Sequence, residues 1–332
     1  MSKGFSIVEL MIAITLGTLL VGTVGSVYMS NKATYRVQEE LARLQENGRY
    51  ANYYLNLQLR MAGYQGYASE SFVTMTNRVS DASKVLMYDK PLLGFDGLSS
   101  SFSPSLPSNL SGKPAANSDI IEVRMAANTN VQLDDDMNLT NNPIHVYERL
   151  NIQAGEVIMI SNCKVGDIFV AGSNSNASVI THTNSNNTSN DLSTSYTTGA
   201  HIMRYVYYGF YVKNTGRLNT QSQPIYALTR IDINGTEQEL VDGVERMRVL
   251  YGVDTNDDKT ADTYQTASQV EAASNWNKVI SLKINLLLAS TENVSPQIQS
   301  YKFNGATVTP TDRKLRREWE TFITLRNRGL PS

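Results

Sequence analysis

From Phe5 to Met29 the chain carries a single charge, Glu9, among Ile, Val, Leu, Ala, Gly and Thr. A run of that length, coiled as a helix rising about 1.5 Å per residue, is able to cross about 30 Å of hydrocarbon. Only Met-Ser-Lys-Gly precedes it, and no small-x-small cleavage site follows, so the flanks are wrong for an ordinary secretory signal. Gly17, Gly22 and Gly25 interrupt the run. Glycine is common in membrane helices, where it permits close approach or a bend, and the sequence leaves both uses open. Glu9 is the costly residue, because an ionisable group inside an apolar span needs a partner. The bland alternative puts its head in water at the interface, close to the positive end of the helix. Lys3 before the span and Lys32 and Arg36 after it do not settle orientation by charge.

The helical pattern continues past the apolar run. Ala33, Val37, Leu41, Leu44, Gly48, Ala51, Leu55 and Leu59 recur every three or four residues, which is one stripe on a helix. Between them Arg36, Glu39, Glu40, Arg43, Glu46 and Arg49 form a solvated face. The stripe is short and has Gly and Ala at contact positions, so it predicts packing on a globular head rather than a free coiled-coil stalk. One helix is expected from about Phe5 to Met61, ended by Gly63 with Gly66 supporting a turn.

The remainder is long enough for a sizeable core: the chain has 332 residues and a mass of 36.8 kDa. Its net charge of −2 gives no sign of a nucleic-acid partner or of a surface held to anionic lipid. Charged residues make up only 18%, and Asn, Ser and Thr are abundant, which suits an extracytoplasmic, β-rich head with long polar loops. With Cys163 the single cysteine, no internal disulfide can form, and a buried inert thiol is expected. Residues 64–113, punctuated by Pro and Gly, read as connecting loops with at most a short strand or helix. Strand patterns follow at 120–125, 144–147, 156–161 and 168–170, with 128–142 read as polar loop. Residues 173–199 form a low-complexity Ser/Asn/Thr tract that reads as a surface loop, with Val179, Ile180 and Tyr196 able to pin a hairpin. Tyr205, Tyr207, Tyr208 and Tyr211 lie in a strand at 203–212 and are expected to pack across strands with hydroxyls in water. A turn is expected at 214–216, then strands at 225–233 and 237–241 around Asn234-Gly235, the strongest hairpin signal in the chain. A further strand is expected at 244–253.

Two constellations bear on chemistry. Asp254, Asn256, Asp258, Thr260 and Asp262 place oxygen ligands at alternate positions, a pattern that suits a hard cation such as Ca²⁺. Against it, Lys259 stands where such loops favour Gly and Gln265 where they favour Glu, so a solvated Asp-rich turn is the competing reading. The basic cluster Arg313, Lys314, Arg316 and Arg317, with Arg326 and Arg328, is interrupted by Glu318 and Glu320. It reads as a solvated face or as protection of an edge strand rather than as a nucleic-acid groove. His145, His182 and His201 lack metal-ligand spacing, and no phosphate loop, nucleophile elbow or dinucleotide fingerprint is present. An enzyme is not expected, and calcium is the one cofactor the sequence raises.

The start Lys3-Gly4-Phe5, with Glu9 five residues into the remainder, resembles the type III signal of type IV prepilins. The resemblance implies a leader at 1–4 cut between Gly4 and Phe5 by a prepilin peptidase, and methylation of the new Phe5 amine. It also gives Glu9 an assembly role, meeting the N-terminal amine of a neighbouring subunit. Residues 5–29 would be the transmembrane half of the helix, 30–62 its amphipathic half, and 63–332 the head. Leu240 to Asn256, Trp276 to Leu288, Asp312 to Arg317 with Thr321 to Arg328, and the strand-turn-strand around Asn162 to Asp167 resemble the PilW group of minor pilins. The resemblance thus covers the N-terminal fifty-odd residues and much of 155–328.

That resemblance implies an α+β pilin fold, a long N-terminal helix packed on an elaborated antiparallel β-sheet head with long loops. It implies a minor pilin of the type IV pilus, part of a tip complex that primes assembly, supports twitching motility and carries a large tip adhesin. Implied partners are other minor pilins, the major pilin, that adhesin, the prepilin peptidase and the inner-membrane assembly platform. Implied locations are the inner membrane, with a single span and a periplasmic head, and then the pilus tip at the cell surface. The alternative is a GspJ-like minor pseudopilin of a type II secretion system. A membrane-anchored sugar or DNA receptor that never enters a filament is a third class, and it would make Glu9 dispensable.

Overall fold

A computed structural model of the chain describes residues 6–65, 74–80, 90–147, 152–162, 164–173, 175–176 and 178–327. Gly4, Phe5, Gly66, Cys163 and Arg328, all singled out by the sequence, lie outside the described residues.

Helix α1 runs unbroken over Ile7–Leu59, a length of about 80 Å at 1.5 Å per residue. Its hydroxyl residues bond back onto the helix: Thr15 Oγ1 donates to the Ile12 carbonyl at 2.9 Å, Thr23 Oγ1 to Leu19 at 2.7 Å, and Ser26 Oγ to Thr23 at 2.8 Å. These bonds let polar side chains sit in an apolar run without an unsatisfied donor. Every side chain from Ser6 to Arg36 is exposed, because the head begins only further along. Burial starts at Val37, which packs partly on the core, and is complete at Leu44, Gly48, Ala51, Leu55 and Leu59. Ala33 and Leu41, expected in the buried stripe, are exposed, Ala33 because that end of the stripe projects past the head. The helix stops where Gly63 takes φ +74° and its N–H donates to the Arg124 carbonyl at 3.0 Å, tying the turn to the sheet.

Two sheets receive this half of α1. The smaller is antiparallel, with strands ordered Thr263–Gln265, Val244–Val253, Val279–Ala289 and Arg316–Thr324. The larger has nine strands centred on His201–Leu218. One edge of that strand pairs with Ile120–Gln132, while Val157–Ser161 and then Pro224–Asp232 share the other. Alternation decides which side chains meet: Met247, Val249, Tyr251, Leu282, Ile284, Leu286 and Ile323 join Leu44, Ala51, Leu55 and Leu59 in one core, together with Phe210, Val212 and Leu228 of the larger sheet. Each buried Leu of α1 contributes roughly 1.5–3 kcal/mol by leaving water. Polar contacts set the register of the helix on the sheets. Asn47 Nδ2 donates to the Asp242 carbonyl at 3.1 Å, Thr321 Oγ1 to Asn52 Oδ1 at 2.5 Å, and Arg230 to the Tyr54 hydroxyl at 2.6 Å.

Several loops expected from sequence are built otherwise. Leu92–Gly97 is a fully buried strand. Its glycines hide it from a propensity reading, yet they are required: a Cβ on Gly94 would lie 1.7 Å from the Tyr251 hydroxyl oxygen, and one on Gly97 would lie 2.2 Å from the Ser118 carbonyl. The Ile120–Gln132 strand continues into the stretch read as polar loop. No reversal occurs at 214–216; His201–Leu218 runs through it, and Asn219 to Gln223 make the turn instead. The tract at 173–199 is packed rather than loose. Val179–Ile180 pairs with Ile144–His145, and Ile180, Leu192 and Tyr196 enter a core of their own. Its anchor is buried Asp167, which accepts from the Tyr196 hydroxyl at 2.7 Å, the Ser193 N–H at 2.8 Å and Arg78 at 3.0 Å. Burial, and then the Asp167 charge, push the Tyr196 hydroxyl far above its usual pKa. The expected water-facing tyrosines are likewise inside: Tyr205, Tyr207 and Tyr211 are buried, and the Tyr207 hydroxyl donates to Glu122 at 2.5 Å.

Gly48 gives a direct test of the docking. A Cβ there would fall 2.5 Å from the Trp319 ring, so Gly48→Ala should lower the stability of the head by about 1–2 kcal/mol, overpacking outweighing the gain in helix propensity. Gly17→Ala, which meets nothing within 4 Å, should leave the melting temperature of the detergent-solubilised chain unchanged.

Candidate functional site

Glu9 lies in the first turn of α1, and its carboxylate turns back to accept the Ser6 N–H at 3.0 Å, while the Val8 N–H donates to Ser6 Oγ at 3.3 Å. The two residues form a capping box, so within this chain the acid stabilises the start of the helix. One bonded N–H leaves most of the lone-pair capacity of a carboxylate available. Around it Ile7, Val8, Leu10 and Met11 are exposed. An isolated polar group therefore sits on an apolar rod that the head does not cover.

At the other end, α1 and the Glu237–Asp242 strand border a cleft of about 740 Å³ whose walls include Glu40, Arg43, Tyr50, Arg217, Glu239 and Asp242. Arg217 grips Asp242 with two bonds of 2.9 and 2.7 Å and Glu239 with one of 2.6 Å. Burial raises the Glu40 carboxyl above its usual pKa, with Arg43 pulling it back.

The two sheets are joined by a residue that sequence reading passed over. Asp119, buried between them, donates its N–H to the Met247 carbonyl at 2.8 Å, and its carboxylate accepts the Val249 and Gly97 N–H groups, both at 2.9 Å. Arg248 completes the pair at 2.5 Å. Asp119 thereby satisfies an otherwise open stretch of the Val244–Val253 strand. Burial drives its pKa upward against the pull of Arg248. Nothing in Ser-Asp-Ile-Ile singles this acid out, because its partners on the Val244–Val253 strand are more than 120 residues away.

The basic cluster is not one solvated face. Lys314 is buried, and Arg316 is clamped by Asp312 at 2.6 and 2.7 Å and by Glu245 at 2.6 and 3.0 Å. Only Arg313 and Arg317 of the run are exposed. Arg316–Thr324 is nevertheless the outer strand of its sheet, so charge does guard an edge there.

The oxygen-rich loop keeps its side chains close to its own backbone. Asp254 Oδ2 accepts the Lys259 N–H at 2.8 Å, Asp258 Oδ1 the Thr260 N–H at 2.8 Å, and Asp262 Oδ2 the Thr255 N–H at 2.7 Å. The Thr260 and Thr255 hydroxyls, and then those backbone bonds, hold the Asp258 and Asp262 carboxyls below the usual carboxylate range. Among the described residues no three His, Cys, Asp or Glu side chains are gathered as a ready metal site. His182 is structural: its Nδ1 lies 2.8 Å from the Asn190 carbonyl and its Nε2 2.9 Å from that of Asn142. His145 is exposed and stands apart on its short strand.

One helix, long and apolar enough over its first part to cross a membrane and docked by its second part on an antiparallel sheet, defines a pilin-type α+β subunit. Residues 209–327 match the family model PilW, described as Type IV Pilus-assembly protein W. The match supports a relation to type IV pilus assembly. No curated protein and no solved structure matches the chain. The matched span holds all four strands of the smaller of the two sheets on which α1 docks. Residues 155–208, included in the sequence resemblance, fall outside it, as does α1.

Asp119→Ala should cost about 3 kcal/mol, the lower end for removing one partner of a buried ion pair, since Arg248 reaches water. Asp119→Asn, which keeps an acceptor, should cost less. Urea denaturation of the full chain in detergent, followed by tryptophan fluorescence, measures both.

Proposed function

We propose that the chain is a minor pilin acting in the tip complex that primes type IV pilus assembly. The observation that carries this reading is the division of α1. Some thirty residues project as a bare apolar rod, while the rest is locked to a sheet that bears the PilW match. A rod of that kind is stable in lipid or among other such helices and nowhere else. In this account the peptidase cuts between Gly4 and Phe5, Phe5 is methylated, and Glu9 exchanges its local Ser6 N–H for the amine of a neighbouring subunit. That exchange sets axial register, because a charge in an apolar bundle has one low-energy position, opposite its counter-charge.

The head supports a cap rather than a repeated shaft subunit. Residues 64–208 add strands and a second core beyond the sheet that holds α1, and thousands of copies of so large a head would crowd a filament. At the tip it would dock other minor pilins and support an adhesin, with the head in the periplasm before assembly.

Glu9→Ala should reduce sheared surface pili and twitching to near the level of a deletion strain, while head stability is unchanged. Pili in normal number would overturn the reading. Mass spectrometry of the membrane-extracted protein should find an N-methylated Phe5 as first residue.

A further inference from the structure

The Glu237–Asp242 strand is an edge of the nine-stranded sheet. It pairs with Pro224–Asp232 on one side, and among the described residues no strand pairs with it on the other. The devices that usually blunt such an edge are incomplete here. The strand has no Pro and no Lys, and α1 runs beside it but leaves a cleft of about 740 Å³ between them. Asn47 of α1 reaches the Asp242 carbonyl at one end, so the outer edge of the strand looks across the cleft toward the helix. We propose that this cleft takes an extended, basic segment of a partner protein, which adds to Glu237–Asp242 as a further strand.

Chemistry selects the occupant. An open strand edge presents N–H and C=O groups in a row, which an extended peptide satisfies and a helix, its own backbone already paired, does not. Six residues at about 3.3 Å each give an edge of about 20 Å. Leu240 and the half-exposed Tyr50 supply an apolar wall for alternate side chains of that peptide. Glu40, Glu46, Glu239 and Asp242 line the cleft against two cations, Arg43 and Arg217, an excess of two negative charges. Both cations are already paired, Arg43 with Glu40 and Arg217 with Glu239 and Asp242. Glu46 is exposed and has no ion pair among the described residues. A second copy of the chain does not fit: antiparallel pairing of the edge about its own centre would set Glu237 opposite Asp242. The acids that repel a like strand attract a basic one. In the tip reading, on which the class of partner rests, the segment belongs to a neighbouring minor pilin.

The test is binding of a capped six-residue peptide of alternating Lys and Val to the detergent-solubilised full chain, by calorimetry and hydrogen exchange. Expected are a Kd on the order of 10–100 μM at low salt and slowed exchange of the Glu237–Asp242 amides. Raising salt about tenfold should weaken binding about threefold or more. A peptide of alternating Glu and Val should bind at least about tenfold more weakly. So should the Lys peptide methylated at every backbone nitrogen, which keeps its charge and loses its strand donors. Glu46→Lys should leave Tm unchanged and weaken binding about fivefold. No binding at about 1 mM peptide, equal binding of either control, protection confined to other strands, or undiminished binding in Glu46→Lys would overturn the site. Glu9→Ala reports on the tip reading and the peptide on the cleft, so the two fail separately.

Discussion

Everything in the molecule depends on α1 meeting two environments along one rod. Its second half is held by Leu44, Ala51, Leu55 and Leu59 against two sheets, with Gly48 letting the Trp319 ring approach the helix backbone. Its first half has no such cover, and its Thr and Ser hydroxyls are already satisfied by the helix itself. The two halves share one backbone, so whatever binds the rod is mechanically coupled to the head. A subunit built this way transmits position along the helix without needing a moving part.

The head solves a different problem, which is how to attach a large second layer without a disulfide. Buried charge at strand edges provides the joints. Asp119 closes the open stretch of Val244–Val253, Asp167 collects Arg78, Ser193 and Tyr196, and Glu122 pairs with Arg124 at 2.7 Å beneath the Tyr207 ring. Such pairs are weak sources of net stability, because desolvation offsets much of the attraction. They are strongly selective, however, since a shifted strand would strand a charge in the core. Through Asp119 the added layer is fixed in register on the sheet that bears the match.

Much of this was legible in advance because it depends on neighbours in sequence. The apolar run and the stripe from Val37 to Leu59 have helical period, Val244–Val253 alternates, and Asn234-Gly235 forms its turn, with Gly235 at φ +79°. Leu92–Gly97 was not legible, because Gly94 and Gly97 weaken any strand pattern and their reason, Tyr251 and Ser118, lies elsewhere in the chain. Asn214-Thr215-Gly216 carries a turn signal, yet Gly216 at φ +77° serves an irregularity within a long strand. The Ser/Asn/Thr tract has too little apolar surface to fold by itself and is ordered by Asp167 and by Asn187, which bonds Val170 from outside its own segment.

Local chemistry alone therefore determined the rod, its cap at Ser6 and Glu9, the Val244–Val253 strand and the oxygen spacing of loop 254–262. Tertiary structure decided which half of the rod is buried, where Lys314 and Arg316 hide their charge, and that Asp254 keeps a bare oxygen inside the fold. The division has one cause. Helical period, turn type and charge spacing arise from interactions within a few residues, whereas burial and the pairing of buried charge depend on partners that only folding brings into contact.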